Sequence, residues 1–215
     1  MAKAKELIVA AHESGADIIK GQAFKAEDIK HGSMPKLFYA KCAFIEEQYI
    51  ELIDFARSIG NDIFFSIFSK GFERLRTKQH WHKISGKQTS DGLADKSKDT
   101  HNTFISIPEK CSMKALPKFK QAELMYVSEY MTDNPKLKTI NTIREWFGRP
   151  VGYSDHTSGI MWAKRAVLYY EVDLIEKHFC LKKSESFGGQ VFRDTVHGAT
   201  PKEFEKLSVI LNEIN

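Results

Sequence analysis

Short apolar runs and amphipathic helical patterns alternate along the whole of this 215-residue chain. Runs typical of buried strands cover residues 17–22, 62–68, 81–85, 102–107, 122–128, 150–153 and 172–179. Apolar residues at helical spacing cover residues 2–14, 46–59, 139–147, 158–170 and 201–214. Regular alternation of this kind predicts parallel βα units. A leading helix followed by seven strands favours a TIM-type (β/α)8 barrel that lacks its first strand, as one α/β domain over residues 1–215.

The charge pattern argues against a nucleic-acid partner. The formal net charge of +4 comes from 32 basic and 28 acidic residues, and no basic block contains interleaved aromatic residues. The small basic excess fits an anionic small-molecule substrate, or simply a solvated surface of mixed charge.

Cysteine usage and hydropathy predict a cytoplasmic protein without a membrane partner. Cys42, Cys111 and Cys180 are far apart and form no CxxC pair, which is typical of a reducing compartment. The sequence contains neither a signal-peptide pattern nor an apolar stretch of 18 residues.

Two polar clusters follow neighbouring predicted strands. The first is Gly152-Tyr-Ser-Asp-His-Thr-Ser-Gly159 and the second is Ile175-Glu-Lys-His-Phe179. Barrel enzymes place their active sites at the carboxyl ends of strands, so His156 and His178 are expected to lie close together. Two imidazoles with oxygen ligands and open positions suit Mn, Fe, Co or Zn. Alternatively, one histidine caps the next helix and the other packs in the barrel.

These two clusters resemble signature motifs of the N-acetylneuraminate (sialic acid) synthase family, which includes spore-coat polysaccharide and legionaminic acid synthase-like proteins. Residues 15–29 and 82–86 are similar to the family's lysine-bearing strands, and residues 127–130 are similar to a Ser-Glu-Tyr turn. Asp194 stands seven residues before Pro201, as in a C-terminal motif of the family. The order of the motifs agrees along essentially the whole chain.

The resemblance implies a divalent-metal site and a phosphoenolpyruvate site. His156 and His178 match the family's metal ligands, with Mn as the expected ion and Mg or Co as the other candidates. Lys20 and Lys83 match lysines that hold the phosphate and carboxylate of phosphoenolpyruvate, where fixed ammonium charges are useful. Glu176 matches a carboxylate near the metal that can orient a water or a ligand. Glu176, Lys83 and Lys20 are therefore the predicted catalytic residues.

The remaining predicted site residues are polar side chains around the two substrates. Hydroxyl groups around the phosphate are expected from Ser85, Ser106 and Ser154. Contacts to the amino sugar are expected from Gln22, Tyr130 and Asp194. Histidines outside the two motifs are expected to be surface or structural residues, namely His12, His31, His80, His82, His101 and His197.

The implied reaction condenses phosphoenolpyruvate with an N-acetylated amino sugar, similar to N-acetylmannosamine, to give a nonulosonic acid and phosphate. The family also implies a homodimer. One alternative is a truncated or degenerate barrel that binds phosphate or metal without condensing substrates. Another is a different metal-dependent barrel aldolase or hydrolase, which would account for the histidines but not for the order of the motifs.

The family pattern also contains parts that this sequence does not show. From the resemblance, the chain is expected to start after the family's first strand and to lack the family's C-terminal antifreeze-like domain. An open barrel would expose two unpaired strand edges, at residues 17–22 and 172–179. The expectation is that another chain or segment covers them.

Overall fold

The fold is that of a computed structural model, which describes residues 1–29, 34–86, 89, 102–111 and 121–214. Its α-helices are α1 (Ala2–Glu13), α2 (Lys36–Cys42), α3 (Glu46–Ser58), α4 (Glu73–Lys78), α5 (Lys138–Phe147), α6 (Met161–Tyr170), α7 (Arg193–His197) and α8 (Pro201–Ile214). A 3-10 turn covers Ala26–Asp28. Its strands are β1 (Ile18–Ala23), β2 (Asp62–Ile67), β3 (His82–Ile84), β4 (Thr103–Pro108), β5 (Glu123–Val127), β6 (Gly152–Asp155), β7 (Ile175–Lys177), β8 (Ser186–Phe187) and β9 (Gln190–Val191).

The first seven strands are parallel and follow one another in chain order. β1 pairs with β2, and β3 to β7 form a five-stranded sheet in the order β3-β4-β5-β6-β7. β8 and β9 form a separate antiparallel hairpin. The predicted parallel α/β architecture is therefore confirmed. A closed eight-stranded barrel and a missing first strand stay predictions, because the described residues show a parallel arc in two sheets.

A glutamine side chain joins the two parallel sheets. The backbone N–H of Phe65 in β2 donates to Gln79 Oε1 at 3.1 Å, and Gln79 Nε2 donates to the carbonyl oxygen of Phe65 at 3.3 Å. Gln79 Nε2 also lies 3.2 Å from His82 Nδ1 at the start of β3. The carboxamide thus satisfies backbone groups that a neighbouring strand would otherwise pair, and buried backbone groups require such partners.

Amphipathic helices cover the outer face of the strands. In α3, the residues Tyr49, Leu52, Ile53 and Ala56 are buried, at spacings of three and four along one helical face. They pack with apolar residues of β1 and β2, including Ile63 and Phe65. A second cluster unites β4, β5 and β6 with α5 and α6.

No helix in the described ranges is long and apolar enough to cross a membrane.

Most element boundaries lie within one residue of the prediction, but β7 covers only Ile175–Lys177 of the predicted 172–179. Two further exceptions have local causes. β6 runs from Gly152 to Asp155 instead of covering 150–153, and α6 begins at Met161 instead of residue 158. The Asp155 carboxylate accepts a hydrogen bond from the Thr157 N–H at 2.9 Å, and Gly159 has a φ of 68°. Both features explain why the helix begins at a later residue, since this side-chain bond and a left-handed residue are incompatible with helical backbone geometry.

Several short elements were not predicted, namely α2, α4, α7 and the β8–β9 hairpin. The loop expected at residues 86–100 lies outside the described residues, apart from Gly86 and Thr89. The predicted cap of the last helix is supported, because the Thr200 N–H donates to the Glu203 carboxylate at 2.8 Å.

The hydrogen bonds between Gln79 and the Phe65 backbone predict that replacing Gln79 lowers stability. Replacing Gln79 with Met keeps most of the side-chain volume but leaves the buried N–H and C=O of Phe65 without these partners. We expect Gln79→Met to lower the free energy of unfolding by about 1–3 kcal/mol in urea denaturation followed by circular dichroism. Gln121→Met, at an exposed position, should change it by less than about 0.5 kcal/mol. Equal effects of the two substitutions would contradict a stabilising role for the Gln79 hydrogen bonds.

Candidate active site

A cavity of about 250 Å³ opens at the carboxyl edge of the parallel strands. Its lining contains all eleven site residues predicted from the sequence, namely Lys20, Gln22, Lys83, Ser85, Ser106, Tyr130, Ser154, His156, Glu176, His178 and Asp194. Four further lining residues were not predicted as site residues, namely Ser66, Phe68, Gly86 and Val127. The structure therefore brings together residues that are up to 174 positions apart in the chain (194 − 20).

Strand alternation explains how adjacent residues of one motif serve two environments. Ser154 and His156 line the cavity, whereas Asp155 between them is buried and points elsewhere. In the same way Glu176 and His178 line the cavity. Successive side chains of a strand face opposite sides, so every second residue reaches the same face. Gly152 at the start of this run is tightly packed, because a Cβ there would lie 2.8 Å from the carbonyl oxygen of Leu174.

Glu176 is the centre of the charged part of the cavity. Its Oε2 accepts from Lys20 Nζ at 2.9 Å and from Lys83 Nζ at 3.0 Å, and its Oε1 accepts from Ser154 Oγ at 2.7 Å. The Lys83 side chain is only 2% exposed, while that of Lys20 is 27% exposed. Two ammonium groups share one carboxylate, so the three side chains carry one net positive charge.

Burial and charge shift the ionisation of this group. Burial alone would raise the pKa of the Glu176 carboxyl, but the ammonium groups of Lys83 and Lys20 together outweigh it and hold the pKa well below its usual range. Burial lowers the pKa of Lys83 to about 8, with Glu176 opposing the shift and Lys20 adding to it. The carboxylate is therefore ionised at neutral pH, and the Lys83 ammonium can lose its proton as the pH rises through about 8.

Histidine rings form a second part of the site. The ring centroids of His156 and His178 are 5.1 Å apart, and that of His197 lies 4.9 Å from His178. His197 was expected to be a surface or structural residue, but it is only 1% exposed and lies directly beside the predicted metal ligands. Burial lowers the pKa of all three imidazoles. Neutral imidazoles keep a lone pair for a metal ion.

The polar atoms of these histidines fit a metal site. His156 Nδ1 and both ring nitrogens of His197 are buried and have no hydrogen-bond partner among the described residues. One ligand atom each of His178, Asp194 and His197 lie within 4.8 Å of one another. Buried polar atoms without partners are costly, and a cation coordinated by nitrogen and oxygen would satisfy them.

A buried ion pair holds the loop that carries His156. Lys177 Nζ donates to Asp155 Oδ2 at 2.9 Å and to the Thr157 carbonyl at 2.5 Å, and both charged side chains are 0% exposed. The other Asp155 oxygen accepts from the Tyr153 hydroxyl at 3.1 Å and from the Thr157 N–H at 2.9 Å. This network fixes the backbone on both sides of His156.

Tyr130 and Asp194 close one side of the cavity together. The Tyr130 hydroxyl donates to Asp194 Oδ1 at 2.7 Å, and the Tyr130 ring lies 4.7 Å from that of His197. The turn that carries Tyr130 is joined to β6, because the His156 N–H donates to Ser128 Oγ at 3.1 Å and the Met131 N–H donates to the His156 carbonyl at 3.1 Å.

A larger groove of about 720 Å³ lies along α5 and α6, lined by residues such as Lys136, Trp162 and Tyr169. It contains none of the predicted site residues. The smaller cavity has the convergent charges, perturbed pKa values and half-buried imidazoles that are typical of an active site.

The fold and the cavity together define a parallel α/β protein with a functional site at the carboxyl edge of its strands. Comparison with known proteins is consistent with the motifs. Residues 120–215 match the model of the NeuB family. The predicted resemblance to the N-acetylneuraminate synthase family is thereby confirmed.

Two curated relatives match most of the chain. The N,N'-diacetyllegionaminic acid synthase of Legionella pneumophila is 28% identical over 221 residues, which cover 84% of this chain and 60% of the relative. The uncharacterized protein MJ1065 of Methanocaldococcus jannaschii is 29% identical over 220 residues, which cover 94% of this chain and 63% of that protein. The chain thus spans about three fifths of the length of these relatives.

A solved structure supports the fold. The N-acetylneuraminic acid (sialic acid) synthetase of Leptospira borgpetersenii, in complex with citrate, superposes with a TM-score of 0.81 at 22% identity. The match covers 98% of this chain and 77% of that one.

The Asp155–Lys177 pair predicts strong coupling between two substitutions. Asp155→Asn or Lys177→Met alone leaves a buried charge without its partner and should cost about 3–5 kcal/mol of unfolding free energy. The double variant should lose clearly less than the sum, as measured by urea denaturation in a double-mutant cycle. The exposed Lys3–Glu6 pair is the control, where a cycle with Lys3→Met and Glu6→Gln should give a coupling below about 1 kcal/mol. Additive losses at Asp155 and Lys177 would contradict the pairing.

Proposed function

We propose that this cavity binds phosphoenolpyruvate and an N-acetylated amino sugar and condenses them, with a divalent cation, to a nonulosonic acid and phosphate. The observation that carries the proposal is the convergence of all eleven predicted side chains on one cavity. The relatives support the class of reaction, since one of them is named a diacetyllegionaminic acid synthase.

The lysine side of the cavity suits the phosphate and carboxylate of phosphoenolpyruvate. Lys20 and Lys83 enter from different sheets and meet at Glu176, which leaves a net positive charge there. Ser106 and Ser154 add buried hydroxyl groups next to these charges. Ammonium and hydroxyl donors together form charge-assisted hydrogen bonds to an anion.

The side of the cavity that carries Tyr130 and Asp194 suits the sugar. Tyr130 is 46% exposed at the mouth of the cavity, and its hydroxyl is bonded to Asp194. A carboxylate and a phenol at a solvent-facing rim can exchange their mutual hydrogen bond for bonds to sugar hydroxyls. Gln22 lies on the same wall as Lys20, two residues further along β1, and adds an amide donor and acceptor.

The histidine side fits a divalent cation, with Mn, Mg or Co as the candidates. His156 and His178 are the residues that would hold it, because their rings are adjacent and half-buried, and burial lowers the pKa of both imidazoles. When bound, such an ion supplies Lewis acidity toward the sugar carbonyl.

In the proposed reaction, C3 of phosphoenolpyruvate forms a bond with the carbonyl carbon of the open-chain sugar, whose oxygen takes the π electrons and then a proton, which leaves positive charge at C2. Water adds to C2 and loses a proton, and phosphate leaves with cleavage of its C–O bond to give the C2 ketone. The Lys20 and Lys83 charges hold the phosphate while negative charge develops on the leaving group. Glu176, kept ionised by both lysines, can accept a hydrogen bond from the attacking water and orient it.

The proposal predicts sugar-dependent release of phosphate. Incubation with phosphoenolpyruvate, N-acetylmannosamine and Mn²⁺ or Co²⁺ should release inorganic phosphate and give a nonulosonic acid detectable by mass spectrometry. Lys83→Met should lower kcat/KM for phosphoenolpyruvate by about 10–100-fold, the loss expected for one hydrogen bond to a charged group. Lys206→Met, at an exposed position on α8, is the matched control and should leave kcat/KM unchanged.

Phosphoenolpyruvate binding without phosphate release, over a panel of N-acetylated amino sugars, would overturn the condensation and favour a binding role. Phosphate release without any sugar would favour a hydrolase.

The pKa of Lys83 predicts how binding depends on pH. An ammonium group is charged below its pKa, so the affinity for phosphoenolpyruvate should be highest below pH 8 and should decrease as the pH rises through about 8. We expect a decrease of up to about tenfold in calorimetric titrations. Lys83→Arg keeps its charge over this range and should remove the decrease. An equally steep decrease in Lys83→Arg would assign the titration to another group.

A further inference from the structure

The short helix α7 places a third histidine, His197, beside the two histidines that line the cavity. The Ala199 N–H donates to the His178 carbonyl at 2.6 Å, and the Cys180 N–H donates to the Ala199 carbonyl at 2.9 Å. These bonds join the segment after α7 to the continuation of β7. His197 therefore lies beside His178 because the backbone places it there.

Close packing reinforces this placement. A Cβ at Gly198 would lie 2.8 Å from the Asp194 carbonyl oxygen and 3.2 Å from Cys180 Sγ. A residue with a side chain would push this segment away from the strand end. The glycine lets His197 approach His178 closely.

His197 is an unusual buried histidine. Its ring contacts the rings of Tyr130 and His178 at centroid distances of 4.7 and 4.9 Å, in edge-to-face orientation. Both of its ring nitrogens are buried and find no hydrogen-bond partner among the described residues. A histidine with a structural role usually satisfies at least one nitrogen, since leaving a buried polar group unpaired is destabilising.

Its neighbours are the groups that bind metals. The His178, Asp194 and His197 ligand atoms lie within 4.8 Å of one another, and the His156 ring is 5.1 Å from that of His178. Nitrogen ligands bind such ions at about 2 Å. The His156 and His197 ring centroids are 6.4 Å apart, with the His178 ring close to both.

We propose that His197 is a third imidazole ligand of the cation held by His156 and His178, with Asp194 as its oxygen ligand. This inference rests on the metal site of the proposed function and extends it to the metal preference. Three nitrogen ligands favour Co²⁺ or Zn²⁺ over Mn²⁺, and strongly over Mg²⁺, which prefers oxygen ligands. The Tyr130–Asp194 bond connects the same metal position to the sugar side of the cavity.

Metal titration of the whole chain tests the inference without any catalytic readout. After removal of metal with a chelator, the protein is titrated with Co²⁺, Mn²⁺ and Mg²⁺ by calorimetry, and Co²⁺ binding is also followed by its visible absorption. We expect one Co²⁺ site and weaker binding of Mn²⁺ and Mg²⁺. His197→Ala should weaken Co²⁺ binding at least tenfold and change the visible spectrum. His80→Ala, at an exposed histidine, is the control and should change neither.

A second measurement needs only the wild-type protein, in case His197→Ala does not fold. In the Co²⁺ form, the N–H protons of coordinated imidazoles give strongly shifted exchangeable NMR signals. Three such signals support the inference, whereas two would overturn it. Unchanged Co²⁺ affinity and spectrum in folded His197→Ala would overturn it as well, as would a wild-type chain that binds no Co²⁺.

The outcomes separate this inference from the proposed reaction. Three coordinated imidazoles without sugar-dependent phosphate release would leave the metal assignment standing and reject the condensation. Sugar-dependent phosphate release with only two coordinated imidazoles would support the condensation and reject His197 as a metal ligand.

Discussion

The Glu176 carboxylate is the interaction on which the cavity depends. It contacts Lys20 on β1 and Lys83 on β3, and so connects both parallel sheets through one half-buried negative charge. Without that charge, the almost fully buried Lys83 ammonium would lose its principal counter-ion, and an unpaired buried charge is strongly destabilising. With it, β1 and β7 are held close at their carboxyl ends. The same carboxylate thereby sets both the shape and the charge of the site.

The register of β6 against β7 places the Glu176 carboxylate beside its partners in the cavity. β6 and β7 pair with Ser154 opposite Glu176 and Asp155 opposite Lys177. The inward pair forms a hydrogen bond in the cavity, and the outward pair forms a buried ion pair. A slip of one residue would exchange the two faces. It would remove the cavity pair and bury unmatched charges, so the two pairs specify the same register.

The sequence predicts those site residues that lie at or directly after the carboxyl ends of the strands. Lys20, Lys83, His156 and His178 lie on or directly after short apolar runs, and parallel strands bring such positions to one edge. The placement of His197 depends instead on backbone bonds between Ala199 and the end of β7, which no local pattern indicates. The hydrogen bonds between Gln79 and the Phe65 backbone could not be predicted from the sequence either. A glutamine at a helix end resembles an ordinary helix cap until the neighbouring strand is known.

Charge balance links the two halves of the proposed site. Among the residues that line the cavity, Lys20 and Lys83 are balanced by Glu176 and Asp194, and the lowered pKa values keep His156 and His178 neutral. A highly charged anion such as phosphoenolpyruvate therefore enters a cavity whose formal charge is close to zero. A divalent cation at the histidines would supply the missing positive charge within a few ångströms, where Coulomb attraction is poorly screened. Binding of the cation and of the anion should then strengthen each other, and by linkage each must do so to the same extent.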